Sequence, residues 1–258
     1  MIPKKIHYCW FGRGEKPKLT EKCIESWKKY CPNYELIEWN EDNFDINSNQ
    51  YVREAYENRK FAFVTDYVRL YVLNKFGGIY MDTDVEVIKP LDDFLRCKAF
   101  SSFENNNYIP TGIIAAEKGN KWIKTLLEDY DNLHFIKNNE LDLTPNTVRI
   151  TNTTIKKFGL LPISSYQELD NGNVTIYPFE YFCPKSHITN EINITKKTHT
   201  IHHFSGSWMS KDEKERKNIK DKFIKKYGSK KGILIGNICY LIKHPVKMIK
   251  KIVKSKKF

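Results

Sequence analysis

The stretch Phe76-Gly77-Gly78-Ile79-Tyr80-Met81-Asp82-Thr83-Asp84-Val85 decides how this chain is read. Gly77-Gly78 is a natural stop for a helix over residues 61–75, in which Phe61, Val64, Val68, Tyr71 and Val72 recur at helical spacing. Ile79-Tyr80-Met81 then reads as a short, buried strand with an acidic pair at its end. In extended backbone, residues two apart project to one face, so Asp82 and Asp84 are expected to aim both carboxylates at one point beyond the strand. Open α/β sheets gather their ligands at that end. Two oxygen donors there suit Mg²⁺ or Mn²⁺, an ion that bridges a diphosphate and neutralises charge on a departing nucleotide. An acidic pair standing alone is more often a solvated turn or a helix cap.

The flanks supply alternating elements. On the N-terminal side, residues 5–10 predict a first strand, 12–17 a loop, and 20–30 a helix capped by Thr20 and stopped by Cys31-Pro32-Asn33. A strand at 34–39 and a helix at 51–59 follow. On the C-terminal side, strands are expected at 85–88, 99–103, 112–116, 174–177 and 200–204, with helices at 120–130 and 147–158. Such alternation implies an α/β layer architecture. No repeat or Gly/Ser-rich linker divides the chain before about residue 210, so residues 1–210 are expected to form one domain and 211–258 a basic helical extension.

Charge separates the same two parts. The 258 residues carry a net charge of +12, and 40% are hydrophobic, enough for a packed core. From residue 211 onward there are 17 Lys and Arg against 4 Asp and Glu, so the whole surplus lies in the tail and the body is nearly neutral. That argues against a nucleic-acid groove across the main domain. In the tail, Ile235, Ile238, Ile242, Val246, Ile249 and Val253 share a helical stripe beside Lys243, Lys247, Lys250, Lys251 and Lys254. This is the pattern of an interfacial helix on an anionic bilayer, or of a terminal helix docked on the core. Pro245 interrupts it. The six cysteines form no C-x-x-C pair, the N-terminus lacks the apolar core of a signal peptide, and no run of about 18 apolar residues exists. The expected location is the cytosol, with the tail as the contact to the inner face of the plasma membrane.

The acidic pair does not stand alone. Phe63-Val64-Thr65-Asp66-Tyr67-Val68-Arg69-Leu70-Tyr71, followed by the Gly-Gly stop, apolar strand and Asp82-Thr83-Asp84, resembles the signature of glycosyltransferase family 32. These are DXD-containing sugar transferases, relatives of yeast initiating mannosyltransferases and clostridial glucosylating toxins. Ile2-Pro3-Lys4-Lys5-Ile6-His7-Tyr8-Cys9-Trp10-Phe11-Gly12 is similar to the family's opening strand, and Ile201-His202-His203-Phe204-Ser205-Gly206-Ser207-Trp208 to its closing motif. The resemblance implies a single GT-A domain with a mostly parallel central sheet flanked by helices, a nucleotide-sugar donor (UDP-linked by preference), Mn²⁺ or Mg²⁺, and retained anomeric configuration. The acceptor would be a glycan, lipid-linked if the tail binds membrane, as in bacterial capsule or surface-polysaccharide assembly.

The resemblance also assigns roles. Trp10 would stack on the donor's base, or else is plain core. Asp66 and Arg69, at i and i+3 on one helix face, would contact the sugar and diphosphate, with Asp82 and Thr83 beside them. Asp84 would be the more direct metal ligand, Asp82 its partner, and His203 the third, with His202 the alternative since neighbours on a strand face opposite ways. Ser207 and Trp208 would approach the leaving phosphate, so Asp82, Asp84, Arg69 and Trp208 form the expected catalytic set. The loop 105–111 is expected over the donor sugar, and Thr144-Pro145-Asn146 departs from the family's Thr-Gly-Pro turn. Two other readings remain at this level: a haloacid-dehalogenase-type phosphatase with Asp82 as nucleophile, and a basic nucleic-acid-binding protein.

Overall fold

The structure, a computed structural model, describes residues 1–104, 107–206, 209 and 211–245. The chain divides into two compact units. The first comprises Met1–Lys185 and Ile192–Ser205; the second comprises Ser186–Glu191 and the described residues from Gly206 on.

The first unit opens with β1 (Lys5–Cys9), α1 (Lys18–Tyr30), β2 (Glu35–Trp39), α2 (Gln50–Glu57), α3 (Phe61–Phe76) and β3 (Gly78–Met81). It continues with β4 (Val85–Val87), β5 (Ala99–Ser102), β6 (Ile113–Ala116), α4 (Lys121–Glu128), β7 (Ile136–Lys137), β8 (Glu140–Leu141) and α5 (Asn146–Phe158). The last elements are β9 (Gln167–Leu169), β10 (Val174–Tyr177), α6 (Phe179–Phe182) and β11 (Thr200–His202). Seven strands make one sheet in the order β2-β1-β3-β6-β5-β10-β9. Strands β6 and β9 run against the other five, giving the expected α/β sheet of mostly parallel strands.

The pleat sorts side chains into two cores. On β3, Tyr80 faces one and Ile79 and Met81 the other; on β6, Ile114 and Ala116 oppose Ile113 and Ala115. Helices α2, α3, α4 and α5 cover the first face with Tyr51, Val64, Trp122 and Ile150, and α1 and α6 cover the second with Trp27 and Phe182. Both faces of the central strands are buried, which is why they read as unbroken apolar runs.

Two local expectations change. Helix α1 begins at Lys18 after Pro17, whose φ of −62° already suits a helix start, so Thr20 is a buried residue of the first turn and not a cap. Asp82-Thr83-Asp84 is a turn rather than extended strand, closed by a 3.0 Å bond from the Val85 amide to the Asp82 carbonyl. Gly78, at φ +116°, leaves that helix–strand corner tight: a Cβ would lie 2.9 Å from the Lys5 carbonyl and 3.0 Å from His7 Nε2.

The second unit holds α7 (Lys211–Tyr227) and α8 (Ser229–Lys243), packed against one another as a hairpin. No helix among the described residues is long and apolar enough to cross a membrane.

Candidate active site

Strand β3 delivers the acidic pair to the edge of the first unit, and each carboxylate is held from a different side. Asp82 accepts from Tyr80 Oη at 3.0 Å and faces Arg69 Nη1 at 3.4 Å. Its backbone amide donates to the Gly112 carbonyl at 2.8 Å, fixing the turn to the end of β6. Asp84 is buried; its Oδ2 accepts from the Ser205 amide at 2.7 Å, and its Oδ1 lies 3.3 Å from His202 Nε2.

The pairing of β11 with β4 decides which histidine joins them. His202 stands opposite Val85 and turns toward Asp84. His203, the expected third ligand, faces the other way: its Nε2 is 2.8 Å from Glu86 Oε2, which Lys22 also holds at 2.9 Å. Donor atoms of Asp82, Asp84 and His202 lie within 4.8 Å of one another. Burial opposes the charged Asp84 carboxylate, but His202 and the Ser205 donors outweigh it and hold its pKa well below the usual range. Burial likewise works against a proton on His202, and the Asp84 charge and hydrogen bond overcome it, leaving the imidazole pKa well above its ordinary value.

Arg69 is locked beneath this group. It donates to the Thr65 carbonyl at 3.1 Å, the Thr111 carbonyl at 2.6 Å, Thr65 Oγ1 at 3.0 Å and Asp66 Oδ1 at 2.9 Å, with its guanidinium 4.8 Å from the centre of the Tyr80 ring. Burial pushes the Asp66 carboxyl up to about 7, against the pull of Arg69 and with a further push from Asp82. Asp66 and Arg69 therefore share one face of α3, as their spacing predicted, and Asp82 at the end of β3 lies against Arg69.

Helix α5 adds residues that sequence reasoning did not assign. Asn146 stands beside Asp66 and accepts from Tyr130 Oη at 3.2 Å, and Arg149 Nη2 binds Asp142 at 2.6 Å. Asn146 Nδ2, Arg149 Nε and Tyr51 Oη are buried without a hydrogen-bond partner. The only sequence signal was the departure at Thr144-Pro145-Asn146, 80 positions downstream of Asp66.

Trp10 is half-buried just after β1, its indole nitrogen donating to the Gly14 carbonyl at 2.6 Å and Lys16 lying 5.7 Å from the ring centre. Thr83 is half-buried in the turn between the two aspartates. Ser207 and Trp208, and Asn105 and Asn106 of the expected sugar loop, lie outside the described residues.

Residues 17–101 match the family described as glycosyltransferase sugar-binding region containing DXD motif. Among curated proteins, the chain is similar to subversion of eukaryotic traffic protein A of Legionella pneumophila, 26% identical over 159 residues, covering 49% of this chain and 24% of that protein. It is also similar to inositol phosphoceramide mannosyltransferase 3 of Schizosaccharomyces pombe, 25% identical over 142 residues, covering 52% of this chain and 38% of the other. The chain thus spans well under half the length of these relatives. Among solved structures, the PaToxG glycosyltransferase superposes with a TM-score of 0.47 at 20% identity, over 60% of this chain and 70% of that one. Residues 17–101 are thus similar to a glycosyltransferase sugar-binding region, with Asp82-Thr83-Asp84 in the place of its DXD motif.

Proposed function

We propose that this chain is a metal-dependent, retaining glycosyltransferase that moves a hexose or N-acetylhexosamine from a nucleotide sugar, UDP-linked by preference, to a glycan acceptor. One observation carries the reading: within a DXD sugar-binding region, two carboxylates and one imidazole converge to within 4.8 Å at the end of β3. Two oxygen donors and one nitrogen fit Mn²⁺ or Mg²⁺, so Asp82, Asp84 and His202 would hold the ion. Such an ion, when bound, supplies positive charge to the departing diphosphate.

The chain's own groups do the rest. Arg69, fixed by four hydrogen bonds, holds a permanent positive charge beside Asp82 and needs no reorganisation as negative charge develops on the phosphate. Asp66, with a carboxyl that burial holds near neutral pH, accepts from sugar hydroxyls. Trp10 offers a ring face to the base, while Thr83, Ser207 and Trp208 complete the donor side. The acceptor hydroxyl attacks the face that the nucleotide leaves, and a glycosyl adduct trapped on a carboxylate would contradict this route. A lipid-linked acceptor in surface-polysaccharide assembly, reached from the cytoplasmic membrane surface through the basic tail, fits the concentration of charge beyond residue 210.

The test is nucleotide release from a panel of UDP- and GDP-sugars with and without Mn²⁺. Metal-dependent release from at least one supports the reading; hydrolysis of simple phosphate esters in place of sugar nucleotides overturns it.

A further inference from the structure

The α7–α8 hairpin presents an apolar face with a defined composition. Gly232 and Gly236 of α8 are pressed on α7: a Cβ at Gly232 would lie 2.4 Å from Ile224 Cα, and one at Gly236 2.7 Å from Lys220 Cα. These glycines, with buried Tyr240, form the seam, since only residues without a side chain let two helix backbones approach so closely. At 100° per residue, Leu234, Ile238 and Ile242 fall on the opposite side of α8. They are 62%, 48% and 68% exposed, one turn apart, in line. The expected stripe began at Ile235; the glycine seam rotates it to Leu234.

We propose that this Leu234–Ile238–Ile242 face docks on an anionic lipid bilayer, lying along its surface. Charge complementarity selects the occupant: from residue 211 on, 17 Lys and Arg face 4 Asp and Glu, a surplus that attracts a negatively charged surface and repels a second copy of the chain. Three large apolar side chains in one exposed row, on the most basic segment of the chain, match the composition of helices that insert shallowly among headgroups. The glycine seam makes this possible by leaving the large residues of α8 to face outward. This inference deepens the membrane part of the proposed function and does not depend on the transfer chemistry.

The experiment is sedimentation of the full chain with vesicles of phosphatidylcholine alone or mixed with phosphatidylglycerol, without donor or metal. The chain is expected to prefer the anionic vesicles at least ten-fold at low salt, and the variant Leu234→Ser/Ile238→Ser/Ile242→Ser to lose at least ten-fold of that partitioning with helicity intact. If that variant loses helicity, Ile242→Trp read by bromolipid quenching takes its place, with quenching expected. No anionic preference, unchanged partitioning of the serine variant, no quenching, or a dimer that the serine variant abolishes would each overturn the assignment. Nucleotide release measured on the same preparation reports separately on the transferase reading.

Discussion

Replacing Arg69 with Met keeps the bulk of the side chain and removes its charge and donors. Two costs follow, and pH separates them. The first is the loss of buried hydrogen bonds to two carbonyls and a hydroxyl, about 2–4 kcal/mol together and nearly independent of pH. The second concerns the carboxyl left behind. In the wild type, burial raises the Asp66 pKa from 3.8 to about 7, so the folded state holds a proton that the unfolded state has released between those values. Stability from this group therefore declines as pH rises from about 4 to 7 and is flat above 7. Without Arg69 the carboxyl stays protonated well beyond pH 7, and the decline continues at about 1.4 kcal/mol per pH unit. The gap between variant and wild type should widen by up to about 2.7 kcal/mol from pH 7 to pH 9. Urea unfolding across that range measures it, and Asp66→Asn in the Arg69→Met background should remove the pH-dependent part. Parallel stability profiles for the two proteins would refute the coupling of Asp66 to Arg69.

Other consequences are as direct. His202→Ala should weaken Mn²⁺ binding at least ten-fold by calorimetry and His203→Ala less than three-fold; since a bound ion displaces the proton that Asp84 holds on His202, wild-type affinity should rise with pH and binding should release a proton, seen as a buffer-dependent heat. Glu54 accepts from the Phe135 and Ile136 amides at 2.7 and 3.0 Å, so Glu54→Ala should cost about 2–4 kcal/mol in denaturant unfolding. Although burial opposes its charge, these amides with Gln50 and His134 lower the Glu54 pKa from 4.5 to about 2, so its contribution is complete above pH 4.5 and lost as pH falls through 2. Gly78→Ala, forced to φ +116° against the Lys5 carbonyl, should lower stability by about 1–3 kcal/mol, seen as a fall in Tm.

Strand β3, its Gly-Gly entry and the acidic exit were legible because a strand buried on both faces must be apolar throughout and its corner needs positive φ. Strand β10 coincides with the expected 174–177 for the same reason. Strands β7, β8 and β9 were not foreseen: two or three residues each, bearing Lys137, Glu140, Gln167 and Glu168, they carry no apolar period. The face shared by Asp66 and Arg69 followed from spacing within one helix. The convergence of Asp82 and Asp84 was foreseen, but from extended backbone; a hydrogen-bonded turn achieves it. Choosing between His202 and His203 required the register of β11 against β4, a pairing between segments over 100 residues apart that local sequence does not encode. Asn146 and Arg149 stayed hidden likewise, since only the tertiary fold brings these residues of α5 near Asp66, some 80 positions earlier.

The central claim is that the Asp84 carboxylate is needed to hold a cation under a sugar nucleotide's diphosphate. Mn²⁺-dependent nucleotide release by Asp84→Asn, an isosteric change, tests it most directly, with the wild type and the unfolding transition as references. The account predicts release reduced at least a hundred-fold, about 2.7 kcal/mol of transition-state stabilisation, in a folded protein. Release within three-fold of the wild type would contradict it.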